Sequence, residues 1–264
     1  MSLARSTTEN SHVKSLFVAW QTAGASRAWF PIGRLDADVG NEEYRFAYTQ
    51  GALEAQKKDA FKELLAFPDM QQQYESRELF PLFKNRVLDP KRKDFAEYVG
   101  WLALDANHRD PIEILSLTGG ERQTDSLEVF PKLEKAADNT FCCRFFLHGS
   151  RYMRANAHAR LLELSDGEPL RVAVELANPA TGLAVQLQTE DYVNLGWAPR
   201  YLVEDICQAV SSGACDVKAS VVRLNSAEAP QNRRLLIELT GCFTDDYEPM
   251  SSTSFSPLRQ PALV

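Results

Sequence analysis

The sequence predicts an α+β fold, and three observations predict it. Short runs of alternating or β-branched apolar residues near the amino terminus read as strands. A middle stretch carries apolar residues at helical spacing, and from Thr140 onward the pattern turns to β again. The expected order is a small sheet or barrel with helices, followed by a second, β-rich domain.

Val13 to Trp20 (VKSLFVAW) is apolar with β-branched and aromatic members and reads as a strand. Ala28 to Leu35 (AWFPIGRL) is a second strand, interrupted by Pro31 and Gly33. Glu43 to Tyr48 places Tyr44, Phe46 and Tyr48 on one face of a third. Gln50 to Leu65 then carries Leu53, Ala60, Phe61, Leu64 and Leu65 at helical spacing, and Ser76 to Val87 reads as a helix with Pro81 in its first turns. Asp94 to Leu104 sets Phe95, Tyr98, Val99, Trp101 and Leu102 on one stripe, with Asp94 as cap or first-turn acid. Asp105 to Pro111 is a polar break, Ile112 to Leu117 a short strand, and Thr118 to Asp125 a loop with two glycines.

In the second half, Phe141 to His148, Leu170 to Leu176, Leu183 to Gln188 and Tyr192 to Trp197 read as four strands. Arg200 to Val210 is an amphipathic helix, and Val217 to Leu224 with Arg234 to Phe243 forms a hairpin. The expected organisation is a disordered tail over 1–12, an α+β domain over 13–105, a connecting segment over 106–140, a β-barrel domain over 141–244 and a carboxy-terminal tail over 245–264. That last stretch is rich in Ser and Pro and is expected to be extended or disordered.

Bulk properties narrow the function. The chain has 264 residues and a formal net charge of −7, so it lacks the basic excess of a protein that coats nucleic acid non-specifically. A local basic pocket remains compatible with that total. The five cysteines, Cys142, Cys143, Cys207, Cys215 and Cys242, are odd in number and irregularly spaced, which argues against a disulfide framework. They read as small buried apolar groups in a reducing cytoplasm. No cysteine pair has zinc-ligand spacing beside a usable histidine, so neither a metal nor a cofactor is expected. The polar start, Met1 to His12, is no signal peptide, and no apolar run approaches the roughly 20 residues of a membrane span. A cytoplasmic protein without a membrane partner follows as the expectation.

Enzyme motifs are missing from the sequence. There is no Gly-x-Ser-x-Gly elbow, Walker A loop, His-Glu-x-x-His or dinucleotide fingerprint. The carboxylates are scattered over predicted helix faces, with no cluster of two-metal character, so a nuclease is disfavoured. Thr118-Gly119-Gly120 reads as a plain turn before a phosphate cradle, and Lys91-Arg92-Lys93 as a solvated loop before a phosphate contact.

The segment from Phe145 to Val210 is more informative. A strand ends in Gly149-Ser150-Arg151-Tyr152, and Gly167-Glu168-Pro169-Leu170 opens another. Then come Asn178-Pro179, Leu183-Ala184-Val185-Gln186-Leu187, and Leu195-Gly196-Trp197-Ala198-Pro199-Arg200 leading into a helix. In order and spacing these motifs resemble the HIRAN domain, over roughly Phe141 to Phe243. The resemblance implies an OB-like β-barrel that holds single-stranded DNA, at a 3′ end in the family. It points to Arg151 and Tyr152 beside the terminal nucleotides, Asn178 in the family's Asn-x turn, Trp197 at the ring position after Gly, and Arg200 at the phosphate. The residue types suit those roles: Arg offers a fork of donors to phosphate, and Tyr and Trp offer flat faces to unpaired bases. The bland readings are a Tyr152 that covers the barrel mouth, a core Trp197, and an Arg200 paired with Glu204. One departure stands out. The family usually continues Asn-x-Tyr-Asp-x-x-Ala, whereas here Ala180 and Thr181 replace the Tyr and Asp that help form the end-binding pocket.

The first half carries a second resemblance. Pro31-Ile32-Gly33-Arg34-Leu35, Tyr44-Arg45-Phe46-Ala47-Tyr48 and Tyr74 to Arg86 look like the small amino-terminal subdomain of HipA-type kinases, over about Val13 to Leu104. The kinase core has no counterpart. The reading that follows is a non-catalytic protein whose barrel holds single-stranded DNA or a DNA end. Its rival is an antitoxin-like regulator that binds a HipA-like kinase in trans through the first domain.

Overall fold

The computed structural model describes residues 13–22, 28–122 and 125–258. The expected tail over 1–12 lies outside the described residues. The protein is α+β, with two antiparallel sheets in two compact units. Each unit is built from separated stretches of chain. The first holds the described residues up to Arg86, Glu121–Pro131 and those from Ser252; the second holds Val87–Gly120 and Lys132–Ser251.

The first unit contains β1 (Lys14–Gln21), β2 (Trp29–Asp38), β3 (Glu43–Tyr48), α1 (Gln50–Asp59), β4 (Tyr74–Ser76), α2 (Pro81–Lys84) and β5 (Leu127–Pro131). The strand order is β4-β3-β2-β1-β5. Pro31 is tolerated in β2 because the register shifts between Val18 and Ala19 of its neighbour. Two expected helices are shorter than their apolar spacing suggested. α1 stops at Asp59, followed by Ala60 in the left-handed region, and Phe61 and Phe67 turn inward. There Phe67 stacks on Phe46 at 3.9 Å, and the Tyr48 hydroxyl donates to the Phe67 carbonyl at 2.8 Å. Burial pushes the Tyr48 hydroxyl up to about 12. The helix expected over Ser76 to Val87 is instead strand β4 followed by the short α2, because Pro81 has no N–H and takes the first helical position.

The carboxy-terminal stretch is not an unstructured tail where it is described. Phe255, in a 3-10 turn over Thr253–Phe255, packs edge-on against Phe17 at 4.8 Å, and Thr49 bridges Pro257. The residues before it belong to the second unit. There Asp205 accepts from the Tyr247 hydroxyl at 2.7 Å and from the Met250 N–H at 3.1 Å. Burial raises the Asp205 carboxyl above the usual carboxylate range.

The second unit contains α3 (Phe95–Trp101), α4 (Pro111–Thr118), β6 (Thr140–Phe146), α5 (Ala155–Leu162), β7 (Pro169–Asn178), β8 (Gly182–Gln188), β9 (Asn194–Trp197), α6 (Arg200–Ser212), β10 (Lys218–Leu224) and β11 (Leu235–Cys242). Its sheet runs β6-β11-β10-β7-β8-β9. His148, two residues beyond β6, makes an isolated antiparallel bridge with Trp197 of β9, with reciprocal N–H to carbonyl bonds of 2.9 Å.

The contiguous division expected at 105, 140 and 244 gives way to an interleaved one. Phe95, Val99 and Leu102 of the α3 stripe pack with Ile114 of α4 onto Phe146 and Leu236 of the second sheet. Arg223 donates to the Gly100 carbonyl at 2.6 Å, and Asn225 to that of Trp101 at 2.9 Å, so the carboxy-terminal end of that helix is also tied by polar bonds. The segment expected to connect the domains supplies α4 to the second unit and β5 to the first, where Val129 pairs with Val18. Ile112 to Leu117, read as a strand, lies in a helix: Asp110 accepts from the Ile112 N–H at 2.9 Å, Pro111 opens it, and Gly119 ends it with φ of 69°.

The cysteines also depart from expectation. Cys215 and Cys242 form a disulfide, and Cys142 is exposed, so these are not uniformly buried thiols. Cys143 is half-buried, and desolvation pushes its thiol up. Among the described residues no helix is long and apolar enough to cross a membrane.

Candidate nucleic-acid interface

The second unit gathers four of the five expected contact residues around one patch of its sheet. β6 ends at Phe146, and the chain reaches Gly149 with φ of 73° before a 3-10 turn over Ser150–Tyr152. A Cβ at Gly149 would lie 2.5 Å from the Trp197 ring, so only glycine lets this turn pass against the indole. Trp197 is thereby packed beside the turn that carries Arg151 and Tyr152.

Both of those side chains are exposed, Tyr152 to 64%. The Arg151 guanidinium lies 4.6 Å from the Tyr152 ring centre and donates to its hydroxyl at 2.5 Å. The two therefore form a preassembled plate of cation on ring. His158 of α5, with Nε2 2.7 Å from the Ser150 carbonyl, braces the same turn.

Trp197 is half-buried, between the core and contact readings. Its indole N–H donates to Glu175 of β7 at 2.7 Å. Asn178 donates to the same Glu175 oxygen at 2.9 Å. The Asn178 side-chain carbonyl meanwhile accepts from the N–H groups of Ala180 and Thr181, at 3.0 and 3.2 Å. This is an Asx turn that closes the β7–β8 hairpin, so the amide of Asn178 is occupied in shaping the loop. The backbone amides of Ala180 and Thr181 thus hold this turn.

Glu175 is the residue sequence reasoning missed. One acid in an alternating strand looks like any solvated position. Its carboxyl is held below the usual range, first by Asn178 and then by the Trp197 and Gln186 bonds, against some desolvation. A fixed negative charge therefore sits among the contact candidates.

Arg200, half-buried, opens α6 directly after Pro199 and three residues past Trp197. Its placement follows from the sharp exit of β9, where Gly196 has φ of 150° and a Cβ would come within 2.4 Å of the His148 carbonyl. Two further arginines of the unit are engaged with acids. Arg144 pairs with Glu238 at 2.8 Å, and Arg160 bridges Glu168 and Asp191. Arg171 repeats the plate motif, 4.7 Å from the ring of Tyr192, which is 70% exposed. In the Lys91–Lys93 run, Arg92 is paired with Asp94 at 2.9 Å, as expected of a solvated loop.

A second cluster stands at the start of α4. His108, Asp110 and Glu113 bring one ligand atom each within 4.8 Å of one another. Asp110 caps the helix, accepting from the Ile112 N–H, whereas Glu113 in the first turn lies 3.3 Å from His108 Nε2.

No protein-family model matches the chain, and no curated protein matches it. Among solved structures, the crystal structure of a protein from Lactobacillus plantarum, determined by a structural genomics consortium, is similar at 19% identity. The match covers 40% of this chain and 99% of that one, with a TM-score of 0.32, a likeness too slight to assign fold or activity.

Proposed function

We propose that the second unit is a HIRAN-like, OB-like barrel that holds single-stranded DNA without catalysing a reaction. The observation that carries this reading is the exposed Arg151–Tyr152 plate on a turn that packs against Trp197. Stacking on such rings is worth about 1–3 kcal/mol per base and is indifferent to sequence. A guanidinium already laid on the ring meets phosphate with little further ordering. The His148–Trp197 bridge supports the barrel, because it links the chain beyond one edge strand to the other edge strand.

In this reading Arg151 and Arg200 meet phosphate, Tyr152 and Trp197 meet bases, and Asn178 shapes the hairpin beside them. With Ala180 and Thr181 in place of a ring and an acid, the pocket recognises an unpaired strand and not specifically a free 3′ hydroxyl. Fluorescence anisotropy with labelled oligonucleotides tests it. Single strands bind more tightly than duplex of equal length, and a 3′ phosphate changes affinity little. The double variant Arg151→Ala/Tyr152→Ala lowers affinity by about tenfold or more, the loss of one stacked base and one charge contact. Equal binding by wild type and double variant contradicts the assignment.

A further inference from the structure

The two edges of β7 are used unequally. Toward β8 the strand is paired from Arg171 to Asn178. Toward β10 it is paired only at Pro169 and Leu170. Beyond Leu170, among the described residues, no strand pairs with that edge. Its apolar side chains are not buried either: Val174 is 38% and Leu176 80% exposed, with Leu183 of β8 at 40%. An open edge that presents an apolar stripe invites another strand.

We infer that this edge pairs with the same edge of a second copy of the chain, antiparallel about a two-fold axis at Val174. The strand is self-complementary in one register. With Val174 opposite Val174, Val172 faces Leu176 of the second copy, which buries the stripe, and Arg171 lies diagonal to Glu175 of the second copy, within reach of a long side chain. Sliding two residues one way opposes Glu175 to its own copy, like charge on like. Sliding two residues the other way brings Leu176 of the second copy against Leu170, whose edge already holds β10. The register shift between Glu175 and Asn178 ends the flat stretch, so pairing is confined to about five residues per strand, Val172 to Leu176. Such a small interface makes the association weak and concentration-dependent.

Sedimentation equilibrium of the full chain tests this. The average mass rises from the monomer's 29.6 kDa toward twice that value as concentration increases. Leu176→Lys, at an exposed position that leaves folding intact, weakens association by about tenfold or more by setting like charge into the stripe. Val174→Cys forms a disulfide-linked dimer on oxidation, faster than Leu183→Cys, because directly opposed Cβ atoms lie about 4.5–5.5 Å apart. A chain that stays monomeric at every concentration overturns the proposal and leaves the edge to a strand from a different protein. Association unaffected by Leu176→Lys, or cross-linking no faster at 174 than at 183, overturns the pairing.

Discussion

At the residue scale, Glu175 joins the groups proposed to meet DNA. It accepts from Trp197 and from Asn178, and both bonds favour its ionised form. The carboxylate therefore orients the indole while its charge opposes phosphate. Removing the charge and keeping an acceptor separates the two effects. Glu175→Gln is expected to tighten single-strand binding about fivefold, the worth of one unit charge at about 4 Å in water, with thermal stability nearly unchanged. A weaker complex means that orienting Trp197 outweighs the repulsion. Binding isotherms for wild type and variant decide this. None of it was legible in the sequence, where Glu175 alternates with Val174 and Leu176 as any outward residue does. Arg151 and Tyr152 were legible as neighbours, but the sequence could not say that the guanidinium lies on the adjacent ring.

At the element scale, the strands were easiest to read. Glu43–Tyr48 matches the expected span, and β6 to β11 fall within a few residues of theirs, because a half-buried strand leaves a period of two. The helices were harder. The run Ile112 to Leu117 has no period, and its stop and start signals, Asp110-Pro111 and Gly119, were present but outweighed by apolar content. α5 was missed because Ala155–Leu162 buries only Ala157 and Leu161 and so leaves a thin stripe. The joint between β9 and the segment after β6 makes the sharpest prediction at this scale. Gly196→Ala sets a Cβ against the His148 carbonyl in a conformation that favours glycine. It is expected to cost about 1–3 kcal/mol in chemical denaturation and to abolish single-strand binding, since the turn holding Arg151 and Tyr152 starts at Gly149. Unchanged stability and affinity contradict the role given to this bridge.

At the scale of the whole molecule, what escaped the sequence is the interleaving of the two units. A linear reading cuts the chain once, whereas β5 and the carboxy-terminal turn return to the first unit and α3 and α4 join the second. Only the long-range partners, Phe146 and Leu236 for the α3 stripe and Phe17 for Phe255, reveal it. Within the second unit, Cys215–Cys242 adds a covalent link that closes a sequence separation of 27 residues. Cys215→Ser is expected to lower stability by about 3–4 kcal/mol if loop closure dominates, and reduction of the wild type should lower it equally. Residue-resolved photo-crosslinking to single-stranded DNA, followed by peptide mass spectrometry, decides whether the turn after β6 and the ring on β9 hold an unpaired strand. Adducts are expected on Tyr152 and Trp197 and disappear with unlabelled competitor. Adducts confined to other segments, such as the Lys91–Lys93 loop, or no specific adduct at all, would contradict it.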